Sequence, residues 1–458
     1  MTKPNIVFFL VDDMGWGDIG CYGHQFHETP AIDKLCTEGV KFTQAYAACT
    51  VCSPSRAAIL TGRYPARLHL TDWIAGHKHP WAKLKVPDWK MQVDHERVTL
   101  PKALKEAGYT NYFLGKWHLM PHEDPETMHD YVPEKQGFDI NIGGREWGQP
   151  KGRGKYFYPF DVPGLEGQEG DFMTDKLTDK AVDIIGNSKD KPFFLYLSYY
   201  ILHGPLMTKP EYKEKFRQKA KEQGLELKDR DFNYAGMAQS MDESVARVLQ
   251  ALKDNGLDEN TIIVYTSDNG GDNHSSNGGL RERKGYAYEG GTRVCQMIKW
   301  SKKIKAGTVC DQPVIHTDLY PTLLEMANLP EQNDEHLDGK SLVPLLTEEK
   351  KLNRKNIYWH YPHYHRTNPY SAVRSGDMKL IEFLEDGRLE LYDLKNDMTE
   401  TTNLVAQQPD TVKSLLNDLN SWRKKVGAQM MDPNPDYDPD KALQQPEKKP
   451  KGPTFLTE

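Results

Sequence analysis

Cys52-Ser53-Pro54-Ser55-Arg56 sets a nucleophile, a helix start and a cation within five residues. Pro54 fixes its φ and ends the extended segment 41–47, and the apolar run 57–60 continues as the first turns of a helix. Cys52 therefore stands at or just before a helix N-terminus, where unsatisfied N–H groups and the helix dipole favour negative charge. Arg56, one turn on, can point back at the same spot. A nucleophile against an anion-binding helix end suits hydrolysis of a phosphate or sulfate ester. Two further places carry oxygen ligands. Asp12-Asp13 ends the apolar run 5–11, and Asp268-Asn269 ends the run 261–266. Each pair alone reads equally as a polar turn. Together, at the C-terminal edge of one sheet, they form an all-oxygen set that favours Ca2+ or Mg2+ over zinc.

Three more segments bring cations and imidazoles to strand ends. Gly115-Lys116-Trp117-His118 follows a strand over 109–114, and a Lys and a His two apart in extended chain share one face. Leu202-His203-Gly204-Pro205 closes a strand over 192–200. Lys284-Gly285 precedes Gly290-Gly291-Thr292-Arg293, whose paired glycines permit φ > 0 and a tight turn before a strand over 294–300.

Cys52-x-Pro-x-Arg56 followed by Leu60-Thr61-Gly62-Arg63 resembles the signature of type I sulfatases, of the alkaline-phosphatase-like superfamily and the bacterial glycan sulfatase type. Gly-Lys-Trp-His, His203-x-Pro205 and Lys284 with Glu289-Gly-Gly-x-Arg293 match the same family. The resemblance implies that a maturase oxidises Cys52 to formylglycine, whose hydrated aldehyde is the nucleophile. It implies a divalent site of Asp12, Asp13, Asp268 and Asn269, with the modified Cys52 among the ligands, filled by Ca2+ with Mg2+ as the alternative. Arg56, Lys116 and Lys284 would hold the sulfate oxygens, His118 would act as base, and His203 or Lys284 would protonate the leaving alkoxide. The alternatives are a phosphate or phosphonate monoester hydrolase of the same superfamily, a simple aryl sulfatase, or an inactive glycan-binding protein. Cys49-x-x-Cys52 also admits a redox reading, whereas zinc would need a second pair at similar spacing.

Substrate selection is expected from aromatic and polar loops. The stretch 64–94 carries Asp72, Trp73 and His77 with little periodicity, and 137–163 carries Arg145. The segment His360-Tyr361-Pro362-His363-Tyr364-His365-Arg366 either closes over the site or lies on the surface. Asp72, Trp73, His77, Arg145, His360 and His363 are the expected sugar contacts, and the partner is a sulfated glycan of galactose or N-acetylgalactosamine type.

The elements that must position these residues read as an α/β fold. A large mixed, mainly parallel sheet is sandwiched by helices, with helices over 31–38, 99–108, 172–185, 234–253 and 317–327. A charged stretch over 209–230 reads as one solvated helix, and 330–350 as a polar connection. From 356 onward the resemblance implies a smaller antiparallel sheet plus one helix over 409–426. The expected division is 1–350, 351–431, and a Pro-rich irregular arm over 432–458 that holds six of 29 prolines. A net charge of −7 leaves no nucleic-acid footprint, and no apolar run approaches the ~20 residues of a membrane span. The chain runs from Met1 straight into its first strand, so the location is periplasmic or secreted if a leader was removed, and cytoplasmic otherwise.

Overall fold

Strand β1 (Asn5–Val11) is buried along its whole length. Ile6, Phe8 and Leu10 enter one hydrophobic core, and Val7, Phe9 and Val11 enter another on the opposite face. A strand covered on both sides needs no polar alternation, which is why this run is continuously apolar. The computed structural model describes residues 3–122, 128–188, 190–330, 337–348, 350–442 and 444.

The other strands of the first part of the chain are β2 (Val40–Tyr46), β3 (Leu84–Lys85), β4 (Thr110–Gly115), β5 (Ile140–Ile142), β6 (Phe193–Ser198), β7 (Thr261–Ser267), β8 (Arg293–Trp300), β9 (Thr308–Cys310) and β10 (Val314–Ile315). All but β3 join one nine-stranded sheet, in the order β10-β2-β8-β7-β1-β6-β4-β5 with β9 beside β2. β8 runs antiparallel to both β7 and β2, and the other pairings are parallel. Register matters for the site. Val11 pairs with Ser267, and Leu10 and Gly115 both pair with Ser198, so β1, β4, β6 and β7 end level at one edge. β5 lies inside the stretch expected to be a loop; three residues with Ile140 42% exposed leave no period to read.

The helices Pro30–Glu38, Met173–Asn187 and Asp229–Asp254 cover one face, and Met237, Met241, Val245, Val248 and Leu252 lie in its core. Cys52–Thr61, Leu100–Glu106 and Leu319–Met326 cover the other. The charged stretch is not one helix. Pro210–Glu222 is helical, Gly224 at φ 66° breaks it, and Asp229 starts the next helix. The polar connection holds a short helix, Val343–Thr347, while 331–336 and 349 lie outside the described residues.

A second sheet, β11 (Asn356–Tyr361), β12 (Tyr370–Ser375), β13 (Met378–Phe383) and β14 (Leu389–Asp393), is antiparallel in sequence order. Its residues Trp359 and Tyr361, with Leu419 and Trp422 from the helix Pro409–Val426, share one core with Tyr46 and Ala58 of the first part. Buried Lys379 Nζ lies 3.0 Å from Glu289 and 2.9 Å from Glu400, tying β13 to the segment ahead of β8. The arm begins as β15 (Asp432–Pro433), antiparallel to β3. Asn434 Nδ2 donates to Pro80 O and Ala82 O at 2.9 and 2.7 Å, so the arm is stitched to the excursion 64–94.

Candidate active site

The level strand ends deliver the first four polar residues. Asp12 and Asp13 follow β1, Asp268 and Asn269 close β7, and all four are buried. Asp13 has φ 58°, a left-handed value uncommon outside glycine, and this turns its carboxylate in beside its neighbour's. Asn269 Nδ2 donates to Asp13 Oδ1 at 2.8 Å. Asp12 Oδ1 and Asn269 Oδ1 are buried with no hydrogen-bond partner among the described residues. Such orphaned acceptors cost about 1–3 kcal/mol each, and a hard divalent cation would satisfy both. Ligand atoms of Asp12, Cys52 and Asp268 lie within 4.8 Å of one another. The residues present therefore fit a Ca2+ or Mg2+ site.

Cys52 is the first residue of the helix Cys52–Thr61, every residue of which is buried, and Gly62 ends it at φ 67°. Arg56 runs from that helix into the acid cluster. Its Nε and Nη2 lie 2.9 and 2.8 Å from Asp268 Oδ2, and its Nη1 donates to Ser198 Oγ at 2.7 Å and to Lys116 O at 2.9 Å. Lys116 Nζ donates to Asp12 Oδ2 at 2.7 Å. Lys284 Nζ donates to both oxygens of Asp13, at 2.6 and 2.8 Å, and to Cys52 Sγ at 3.3 Å.

Burial would raise each carboxylate, and the cations decide the outcome. Asp12 stays raised because Lys116 offsets only part of its desolvation. Lys284, with His203 and Lys116, outweighs burial at Asp13 and holds it well below the usual range. Arg56 and Lys116 do the same for Asp268. Burial pushes the Cys52 thiol up to about 11 against the pull of Lys116 and Lys284. An unmodified Cys52 is thus a protonated, inert thiol near neutrality.

The two histidines are held neutral. Burial, reinforced by Lys116, lowers His118 well below its ordinary value. Its Nε2 donates to Ile74 O, which leaves Nδ1 as a buried lone pair without a partner among the described residues. His118 does not share a face with Lys116 by strand alternation. It follows the end of β4 at φ 56°, and this left-handed residue, not extended chain, aims it. Burial also lowers His203 to about 4; Nδ1 sits 2.8 Å from Gly204 O, and Nε2 lies 3.6 Å from Asp13. Gly290 and Gly291 do not adopt positive φ either. They form a helical turn, Glu289–Thr292, in which an added Cβ would meet Glu282 O and Tyr286 O at 2.1 Å. Close backbone packing, not turn type, requires them.

The expected sugar contacts divide. Asp72, His360 and His363 are buried, at 1%, 4% and 2% exposure. Asp72 Oδ1 accepts from Trp73 N and Tyr361 Oη, His363 Nε2 lies 2.8 Å from Thr71 Oγ1, and both ring nitrogens of His360 are engaged by Ser371 and Gln429. Their polar atoms face the protein's own groups: β11 carries His360 into the second sheet, and Asp72 and His363 bond Tyr361 and Thr71. Trp73 and His77 are partly exposed and meet edge to face at 5.1 Å. Arg145 lies over Trp147 and pairs with Glu146 and Asp161, both at 2.9 Å. The residue just after Trp73 is tied to the helix Cys52–Thr61, since Ile74 N donates to Ser53 Oγ at 3.1 Å.

Three groups escaped the sequence reading as site residues. Ser198 at the end of β6 could have been found by the same strand-end rule that found Asp12. Asp272 and Arg366 form an ion pair beside Lys284, and no local pattern marks either. Asp18, His24 and His27 make a second acid–imidazole grouping. Its carboxylate is committed to Gly15 N, Ser276 N and Tyr234 Oη, all at 2.6 Å, and so braces the loop after Asp13.

Comparison with known proteins bears on this geometry. Residues 4–329 match the family model described as Sulfatase, and 282–425 match the one described as N-sulphoglucosamine sulphohydrolase, C-terminal. A protein named sulfatase from Formosa agariphila is 30% identical over 499 residues, covering 93% of this chain and 90% of that protein. The N-acetylgalactosamine-6-sulfatase of Mus musculus is 31% identical over 403 residues, covering 82% of this chain and 71% of that protein. A solved structure described as Ps i-CgsB in complex with k-i-k-neocarrahexaose superposes with a TM-score of 0.77 at 28% identity, covering 95% of each chain.

Proposed function

Because the chain belongs to the sulfatase family and is a sulfuric ester hydrolase, we propose that its substrate is a carbohydrate sulfate, of galactose or N-acetylgalactosamine type, cleaved with a formylglycine made from Cys52. The observation that carries the reading is Lys284 Nζ at 3.3 Å from Cys52 Sγ, within a cluster where three carboxylates meet three cations. A formylglycine hydrate at position 52 supplies two hydroxyls, one to attack sulfur and one whose later deprotonation expels sulfate. Asp12, Asp13, Asp268 and Asn269 would hold a Ca2+ or Mg2+, which would supply Lewis acidity to the hydroxyl and positive charge to the sulfate oxygens.

This chain's own groups do the rest. Arg56, Lys116 and Lys284 fix positive charge around the oxygens of the transition state. His118, neutral and with its proton on Nε2, offers the Nδ1 lone pair as base. Lys284, held protonated by Asp13, carries the proton beside the departing alkoxide, while His203 is neutral with Nδ1 on Gly204 O. A sugar alkoxide needs that proton far more than a phenolate does. Trp73, His77 and Arg145 are the sugar contacts, and Asp72 and His363 hold the loop that presents Trp73 and His77. The names of the mouse relative and of the oligosaccharide-bound neighbour support a carbohydrate substrate.

Sulfate release should be measured on galactose and N-acetylgalactosamine sulfates of defined position, with nitrophenyl sulfate and nitrophenyl phosphate alongside. Turnover of the sugar sulfates with little phosphatase activity is expected. Faster turnover of the phosphate would favour the phosphate or phosphonate hydrolase reading.

A further inference from the structure

Beside Lys284 stands a group of side chains that the reaction above does not use. Arg366 Nη1 donates to Asp272 Oδ1 and, at 3.5 Å, to Lys284 O. Lys284 N donates to Gly271 O at 3.0 Å, so the residue before Asp272 and the guanidinium of Arg366 each bond the Lys284 backbone. A Cβ added to Gly285 would come within 2.4 Å of His365 Nδ1, which places that imidazole against the Lys284–Gly285 backbone. His365 stacks on His77 at 4.9 Å, and its Nδ1 has no hydrogen-bond partner among the described residues. The side chains of Arg366 and Asp272 remain 26% and 35% exposed, so the pair opens to solvent.

The chemistry of the group is specific. Guanidinium and carboxylate cancel in charge and leave directional donors on one residue and acceptors on the other. Burial, with His77 and Arg366 nearby, lowers His365 to about 3 and adds a neutral ring. Such an edge suits hydroxyls, which both donate and accept, better than a second anionic group. One lysine side chain separates Cys52 Sγ from the carbonyl that Arg366 touches, a span comparable to a sugar ring.

We infer that Asp272, Arg366 and His365 form a specificity subsite that reads the hydroxyls next to the sulfated carbon of a neutral pyranose. The inference rests on the carbohydrate reading above and names which part of the sugar is recognised. Both partners of the ion pair are needed, because removing one leaves the other as an unmatched charge at the mouth.

Asp272→Asn and Arg366→Gln should be assayed with their parent on a sulfated galactoside, on its analogue lacking the hydroxyl beside the sulfate, and on 4-nitrophenyl sulfate. Each variant should lose about 10-fold or more in kcat/KM on the full sugar and less than about threefold on the aryl sulfate, because lost hydroxyl contacts discriminate strongly. The retained aryl activity reports intact fold and intact Lys284. The deoxy analogue should be turned over equally by parent and variants. Equal losses on sugar and aryl sulfates would overturn the inference and make the pair a brace for Lys284, and so would unchanged sugar turnover. A parent that cleaves the aryl sulfate but no sulfated sugar would instead remove the carbohydrate reading, and this subsite with it.

Discussion

Lys284→Ala separates the two tasks of the residue that bridges Asp13 and Cys52. Lys284 is bonded to both Asp13 oxygens, and the pair is buried, at 9% and 2% side-chain exposure. Removing one partner of a buried pair costs about 3–5 kcal/mol, because the other charge is left uncompensated. His203 at 3.6 Å is neutral, and Asn269 supplies only a neutral donor, so neither replaces the ammonium. With an unfolding entropy of about 2.1 cal/mol/K per residue over 458 residues, each kcal/mol moves Tm by about 1 °C. Differential scanning calorimetry in EDTA should therefore put the variant about 3–5 °C below its parent. Saturating Ca2+ should close most of that gap, since Asp13 then neutralises a cation of its own. The lost sulfate contact is not restored by Ca2+, and kcat on a sulfate ester should fall about 10²–10³-fold. A gap of the same size with and without Ca2+, or a kcat within about threefold of the parent, would refute the reasoning.

In catalytically active protein, peptide mass spectrometry should find residue 52 as an aldehyde or its hydrate; active enzyme carrying only the encoded thiol would refute the formylglycine reading. Asp72 sits at about 7 because burial outweighs its bond from Tyr361, against an ordinary 3.8, so the stability it contributes is present below 3.8 and is lost as pH rises through about 7. That loss amounts to up to about 4 kcal/mol, and Asp72→Asn should flatten the fall of Tm between about pH 4 and 8; parallel Tm curves would show that the carboxyl is already ionised in the fold. Deleting residues from 432 onward removes the Asn434 bonds to Pro80 and Ala82, so sugar-sulfate turnover should fall more than aryl-sulfate turnover, and equal losses would assign the arm to global stability alone.

The main sheet was legible because its central strands are buried on both faces and end in polar residues. The runs 5–11 and 261–266 read as strands, and the register of β1 and β7 carries Asp12 and Asp268 to one level. Ile140–Ile142 was not legible, since a three-residue edge strand takes its pairing from β4 and not from any period of its own. The glycines at 290 and 291 were read as turn formers because sequence reports conformational freedom and not the backbone oxygens that an added Cβ would strike. Asp72 and His363 looked like sugar ligands for the same reason. A polar residue in an aromatic loop carries no local mark of whether Tyr361 or a substrate will satisfy it.

The residues of the buried cluster could be named singly from sequence, but their mutual dependence could not. Asp12, Asp13 and Asp268 each have a different cation within 3 Å: Lys116, Lys284 and Arg56. Those six side chains come from four regions: the end of β1, the nucleophile helix, the end of β4, and the end of β7 with the loop after it. Each is affordable in the interior only because its partner arrives from another region. The cluster therefore exists only when the sheet register is complete, and its left-handed residues at 13 and 118 are held by surroundings that over-determine them. The second sheet belongs to the same arrangement. Trp359 Nε1 donates to Ala47 O at 2.8 Å, and Tyr370 Oη lies 3.1 Å from Thr50 Oγ1, so β11 and β12 clamp the backbone just ahead of Cys52. A helix end that must present one atom to a buried charge cluster is thereby fixed from both sides, by Arg56 reaching into the main sheet and by the second sheet behind it.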